Sequence, residues 1–235
     1  MSTYIFHRIL TAPRAWQTVA NELMASAAAE VQPDDGALYG VWRSQIGRPR
    51  DELTAITVWH DDAGALSSAD ALVGALGDVV THTRRAMTPT LRPQTAAPPE
   101  RQGNYAFRSF STPREHWPEF LDLCAGAWPG FEASYDSQVI GLWQFAPESN
   151  DAESNGPEAD EVGADELGAD EEIDSLLLTR RPDLAMWERS KLPANDAEAE
   201  VRRKLSRRYD LCSTTMVYTT TLISAKDKQD SARWT

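Results

Sequence analysis

At 235 residues the chain has room for one large domain or two small ones, and 41% apolar residues is enough to build a core. The formal net charge is −13, but the stretch 148–174 holds twelve Asp and Glu and no Lys or Arg. Setting it aside leaves 23 basic against 24 acidic side chains, which excludes the clustered positive charge that nucleic-acid binding requires.

Cys124 and Cys212 are the only cysteines, too few for a disulfide framework and not spaced as metal ligands, so both read as small buried apolar residues. The N-terminus opens on strand-like Tyr4-Ile5-Phe6 without a basic leader, and no apolar run reaches membrane-spanning length. A cytoplasmic location is the expectation.

The chain repeats itself at an offset of 101 residues. Tyr4 matches Tyr105, Phe6 matches Phe107, Trp16 matches Trp117, Gly40 matches Gly141 and Trp42 matches Trp143, all without a gap. Each half is expected to be one copy of a common unit.

In chain order, Tyr4 to Leu10 reads as a strand. Pro13 in a first turn, with Thr11 as a cap, opens a helix whose buried stripe is Trp16, Val19, Ala20, Leu23 and Ala27. The turn residues 33–36 lead to strands Leu38 to Gln45 and Leu53 to His60, joined by a hairpin loop at 47–50. Ser67 and Asp70 resemble a capping box for a second helix that presents Leu72, Leu76, Val79 and Val80 and stops before Pro89. A short fourth strand follows at Leu91 to Thr95.

The second half replays this order. Asn104 to Ser111 is a strand, and Thr112 to Glu115 signals a helix start before the stripe Trp117, Phe120, Leu121 and Cys124, with Pro118 requiring a late start or a bend. Strands follow at Val139 to Phe145 and Ser175 to Arg180. Asn195 with Glu198 caps a helix bearing Val201, Leu205 and Tyr209, and Cys212 to Ile223 closes the unit. Between these strands the acidic stretch 148–174 reads as a solvated, disordered insertion, since it lacks the spacing of a calcium loop.

Each unit is thus β-α-β-β-α-β, the ferredoxin-like α+β pattern. The units span 1–100 and 101–224, with a polar tail at 225–235. One such sheet leaves an apolar face open, so two tandem copies are expected to fuse into a barrel with an enclosed lumen, a dimer-like arrangement within one chain.

Tyr39 to Gly47 followed by Glu52 to Trp59, together with Tyr105-Ala106-Phe107-Arg108-Ser109-Phe110 and Gly141-Leu142-Trp143, resembles the NIPSNAP family of the dimeric α+β barrel superfamily. The first half departs from the family's opening strand at His7 and Ile9, and the second hairpin is replaced by the acidic insertion. The resemblance implies two fused barrel units and no particular chemistry. Relatives in the superfamily imply further alternatives: a cofactor-independent monooxygenase or isomerase, or a barrel that holds haem through a histidine.

Strand alternation places Ile5, His7 and Ile9 on one face, matched by Ala106, Arg108 and Phe110. With Tyr4 and Phe6 under the helices, His7 and Arg108 point into the lumen. An Arg there needs a carboxylate from the protein or from a ligand, so Arg108 is the leading ligand contact, with His7, Arg43, Trp59 and Phe110 as companions and His7 the catalytic candidate. His60, His82 and His116 read as surface residues, His82 on a helix. Trp187 to Ser190 suggests a helix-end salt bridge. No phosphate loop, nucleophile elbow or metal-ligand spacing occurs. The expected ligand is a small apolar or anionic molecule in the lumen. Further association into a homo-oligomer and a basic protein partner for the acidic stretch are additional expectations.

Overall fold

The computed structural model describes residues 2–32, 34–60, 63–147 and 172–227. The acidic stretch, apart from 172–174, and most of the polar tail lie outside the described residues.

The first half contains β1 (Thr3–Thr11), α1 (Trp16–Glu30), β2 (Gly36–Ile46), β3 (Glu52–Trp59), α2 (Ala65–Gly74) and β4 (Val79–Arg92). The second contains β5 (Asn104–Pro113), a 3-10 turn at Arg114–His116, α3 (Trp117–Tyr135), β6 (Gln138–Phe145), β7 (Glu172–Arg181), α4 (Leu184–Arg189), α5 (Asp196–Asp210) and β8 (Thr214–Leu222). The eight strands close into one antiparallel barrel in the order β1-β3-β2-β8-β5-β7-β6-β4. Within each half the order is fourth, first, third, second strand. The halves join where β2 pairs with β8 and β4 with β6.

The barrel interior is a packed aromatic core. Tyr4, Phe6, Trp42, Tyr105, Phe107 and Trp143 all belong to it, with Trp42 and Trp143 fully buried. Neighbouring rings meet edge-on or tilted at 5–6 Å, as for Trp42 against Phe107 at 5.2 Å and Tyr4 against Trp143 at 5.6 Å. The expected orientation of the strands is therefore reversed. Tyr4 and Phe6 fill the lumen, and His7 and Arg108 face the helices. Alternation defines two faces but does not say which is inside, and a closed eight-stranded barrel needs large side chains to fill it. Aromatic packing fills the middle of the lumen, and a cavity of about 440 Å³ remains at one mouth beside Phe6, Phe145 and Tyr218.

The repeated Gly-x-Trp has a packing cause. A Cβ at Gly40 would lie 2.4 Å from the Trp42 ring, and one at Gly141 would lie 2.3 Å from the Trp143 ring. Each indole folds back over the glycine two residues earlier, on the same strand face. Both strands also shift register immediately before that glycine, at Leu38/Gly40 and Val139/Gly141.

Outside the barrel, α1 packs its stripe Trp16, Val19, Ala20, Leu23 and Ala27 on Ile9, Val41, Leu53 and Ala55. Helix α3 packs Phe120, Cys124, Trp128 and Phe131 on Phe110, Leu142 and Leu177. Pro118 falls in the first turn of α3, where its missing N–H costs nothing. Asn195 caps α5 as expected, its side chain accepting from the Glu198 N–H at 2.9 Å.

Three local expectations are corrected. Helix α2 begins at Ala65 behind Gly64, without a side-chain cap, and Asp70 instead ion-pairs with Arg84 at 2.5 Å. Helix α1 begins at Trp16 behind Ala15, and the Thr11 hydroxyl is spent on the carbonyls of Ala12 and Asp51. Val79 and Val80 open β4 rather than closing a helix, because β4 runs the full length of β1, with Tyr4 opposite Met87 and Leu10 opposite Thr81.

Replacing Gly40 or Gly141 by Ala forces the indole from its place in a dense core, so each variant should lose about 1–3 kcal/mol of stability. Gly74→Ala, where an added methyl meets nothing within 4 Å, is the control. Urea unfolding followed by tryptophan fluorescence checks the difference.

Candidate functional site

In the second half, a cavity of about 210 Å³ lies between the outer face of the sheet and helices α3, α4 and α5. Arg108 reaches it from β5, alternating with the lumen residues Tyr105 and Phe107. Leu177, Thr179 and Arg181 reach it from β7 by the same alternation. Helix α5 adds Arg202, Leu205, Arg208 and Tyr209, which share one helical face. Trp128 and Phe131 of α3 and Trp187 of α4 form the aromatic wall.

Five cationic side chains border this cavity, Arg108, Arg181, Lys191, Arg202 and Arg208, and among the described residues no carboxylate does. Arg181 and Arg208 are only 8% and 3% exposed. Among the described residues, neither they nor Arg108 forms an ion pair. Arg181 Nη1 donates to Thr179 Oγ1 at 3.2 Å, and Arg208 Nη1 donates to Cys124 Sγ at 3.4 Å, leaving Nε of each without a partner. Burial, and then the repulsion of Arg208, Arg181 and Arg202, pushes the Arg108 guanidinium down to about 9. Burial lowers Arg181 to about 10.

Aromatic rings hold these cations in place of carboxylates. Arg181 lies 5.0 Å from the Phe131 centroid and 4.8 Å from that of Trp187. Tyr209 carries Arg108 at 5.2 Å and Arg208 at 5.6 Å, and Phe110 supports Arg208 at 4.9 Å. A desolvated contact of this kind contributes roughly 2 kcal/mol and uses the face of the guanidinium, not its N–H edge.

Of the sequence candidates, Arg108 and Phe110 come together here, Phe110 as a platform under Arg208. The others lie elsewhere. Arg43 on β2 stacks over Trp16 at 3.9 Å and borders a separate cavity of about 500 Å³ beside Asn104. Trp59 donates from Nε1 to Thr57 Oγ1 at 2.9 Å and borders a cavity of about 310 Å³ at the ends of α1 and α2.

His7 stands in β1 where β5 has Arg108, but it is fully buried. Its Nε2 is 2.9 Å from Thr57 Oγ1, and its Nδ1 shares a hydrogen bond of 3.0 Å with His82 Nε2 across stacked rings. His82 is on strand β4, not on a helix. His60 bonds Ser2 Oγ at 3.1 Å, and His116 lies beside Glu115 at the start of α3. Salt bridges do form at the end of α4 as expected: Arg189 pairs with Glu198 at 2.8 Å, and Glu188 pairs with Lys191 at 2.7 Å.

A haem held through histidine does not fit this cavity, because none of the four histidines borders it, and Cys124 Sγ is buried under Arg208. Among the described residues no cluster of three or more His, Cys, Asp or Glu is arranged to hold a metal ion. No described helix is long and apolar enough to cross a membrane.

Arg181, Arg208 and Tyr209 escaped sequence reasoning as site residues. The available signal was the spacing of Arg202, Leu205, Arg208 and Tyr209 along α5, a basic and aromatic stripe where a plain apolar one would suffice to pack a helix.

No family model matches the sequence, and no curated protein matches it. Solved structures of the same shape do. An anthrone oxidase-like protein aligns with a TM-score of 0.58 at 13% identity, covering 98% of this chain and 96% of its own. A protein assigned to the monooxygenases from Lactobacillus acidophilus aligns at 0.53 with 8% identity, covering 95% and 97%. A chlorite dismutase variant from Candidatus Nitrospira defluvii aligns at 0.54 with 9% identity, covering 94% and 90%. The chain has the fold of the dimeric α+β barrel proteins. At these identities the likeness is one of fold.

Burial, then His82 and Arg84, lowers His7 to about 3. An unfolded histidine titrates near 6.5, so the unfolded chain takes up this proton first. The contribution of neutral His7 is complete above about pH 6.5 and is lost as pH falls from there toward 3. The urea midpoint should drop between about pH 7.5 and pH 5, and His7→Gln should flatten that slope.

Proposed function

We propose that the chain is a fusion of two β-α-β-β-α-β units, 1–100 and 101–224, and that the second unit binds a small anionic aromatic molecule between its sheet and its helices. The repeat and the shared strand order support the first statement. The second rests on one observation: Arg108, Arg181 and Arg208 converge on an aromatic-walled cavity with no carboxylate among the described residues to neutralise them. Guanidiniums buried without a carboxylate, as Arg181 and Arg208 are among the described residues, are costly, and an arriving oxyanion relieves that cost. The strand motifs around Gly40-Val41-Trp42 and Tyr105 to Phe110 support a NIPSNAP-like placement within the superfamily.

A cofactor-independent oxygenase or isomerase is the second reading, supported by the same cations and by the fold shared with an anthrone oxidase-like protein and with proteins assigned to the monooxygenases. The guanidiniums would stabilise an enolate or phenolate and so make the substrate more acidic. Among the described residues no His, Asp or Glu borders the cavity to act as base, so this reading requires a substrate that ionises readily in its own right.

Arg108→Gln should weaken binding of 2-naphthoate by on the order of tenfold or more while far-UV circular dichroism is unchanged. Equal affinity in both proteins, read by isothermal titration, would sink the binding proposal. Dioxygen uptake with anthrone, lost in Arg108→Gln, is the result expected of the oxygenase.

A further inference from the structure

Resting on the reading of this cavity as an anion site, we propose that its ligand is an aromatic dianion, with two negative charges presented to the Arg108, Arg181 and Arg208 cluster and a planar body against the aromatic wall.

A structural arginine in a protein interior is ordinarily matched by a carboxylate that takes up both its charge and its N–H edge. Two arginines elsewhere in the chain show that pattern: Arg48 is bidentate on Glu52 at 2.7 Å, and Arg189 Nη2 lies 2.9 and 2.8 Å from the two Glu198 oxygens, whereas buried Arg180 is held by the Gln102 carbonyl at 2.7 Å. At the cavity the pattern is absent. Arg181 is clasped between Phe131 and Trp187, and Arg108 and Arg208 both lie on Tyr209. Ring faces fix the guanidinium planes but leave net charge and in-plane donors unspent.

Charge counting then sets the ligand. Three guanidiniums close enough to repel one another have no counter-charge among the described residues. Arg202 adds a fourth cation at the rim, itself exposed and without an ion pair there, whereas Lys191 is tied to Glu188. A single negative charge would leave two of the three uncompensated in a desolvated site. A doubly charged group, or two charged groups on one ring, spreads its oxygens over the cluster. The excess charge is specific to this half, because the residue matching Arg108 in the first half is His7, which is neutral and already hydrogen-bonded at both nitrogens.

The shared chemistry fits a phosphomonoester or a dicarboxylate, and the test separates them. The probes are 2-naphthyl phosphate, a dianion above its second pKa near 6, 2-naphthyl sulfate, a monoanion of the same shape, and naphthalene-2,3-dicarboxylate. Affinities are measured on the full chain at about pH 8 by isothermal titration. The expected result is that the phosphate or the dicarboxylate binds on the order of tenfold or more tightly than the sulfate, with a steeper loss on adding salt. The tighter of the two dianions tells whether the charges sit on one group or two. In Arg181→Met, which keeps the chain's bulk between the rings, that advantage should collapse while the sulfate still binds. The wild-type comparison of phosphate with sulfate stands if this variant does not fold. Equal affinity for all three probes, each weakened by Arg108→Gln, overturns the dianion and leaves the anion site. Failure of all three to bind overturns the anion site itself.

Discussion

Filling the barrel with aromatic rings is the constraint on which the rest depends. Eight antiparallel strands enclose a lumen that must be packed to interior density, and Tyr4, Phe6, Trp42, Tyr105, Phe107 and Trp143 supply the volume. The two largest fit only because Gly40 and Gly141 leave room for an indole to lie flat over the strand. The rings fill the middle of the lumen and leave a cavity of about 440 Å³ at one mouth, lined in part by Phe6, Phe145, Leu176 and Tyr218. The outer layer, between sheet and helices, leaves a second kind of gap, in which polar side chains of the strands meet aromatic rings of the helices.

That outer layer exists twice, and the two copies have gone different ways. Under α1, apolar residues close on the sheet, and His7 is absorbed into a neutral chain with Thr57 and His82. Under α3 and α5 the matching position is Arg108, the strand partner supplies Arg181, and the helix supplies Arg208. The additional helix α4, absent from the first half, brings Trp187 over Arg181 and so finishes the wall. The two halves share one strand order, and different residues at matching strand positions leave one outer layer apolar and the other polar and open.

The sequence made the architecture legible because repeats and strand patterns are local. The 101-residue offset, the α1 stripe and the Asn195 cap all depend on neighbours in sequence, and β1, β2, β3 and β5 fall within a residue or two of their expected spans. What depended on distant partners was lost. Val79 and Val80 suit a helix face as well as a strand, and only pairing with β1 decides for β4. Alternation put His7 and Arg108 on a common face but could not say which face a closed barrel turns inward. Arg181 and Arg208 lie 73 and 100 residues from Arg108 in sequence, so no local pattern announces that their guanidiniums meet.

The sign of the site also runs against the sign of the chain. A formal charge of −13 suggests a protein that repels anions, yet its twelve-carboxylate stretch is one segment, and the rest is nearly balanced. Screening confines a solvated charge to about 8–10 Å at ordinary salt, whereas a buried guanidinium acts on whatever shares its low-dielectric cavity almost unscreened. The cluster at Arg108 therefore sets local chemistry without regard to the total. Because rings rather than described carboxylates hold it, the charge stays uncancelled among the described residues, and keeping it buried carries a cost that the aromatic contacts only partly offset.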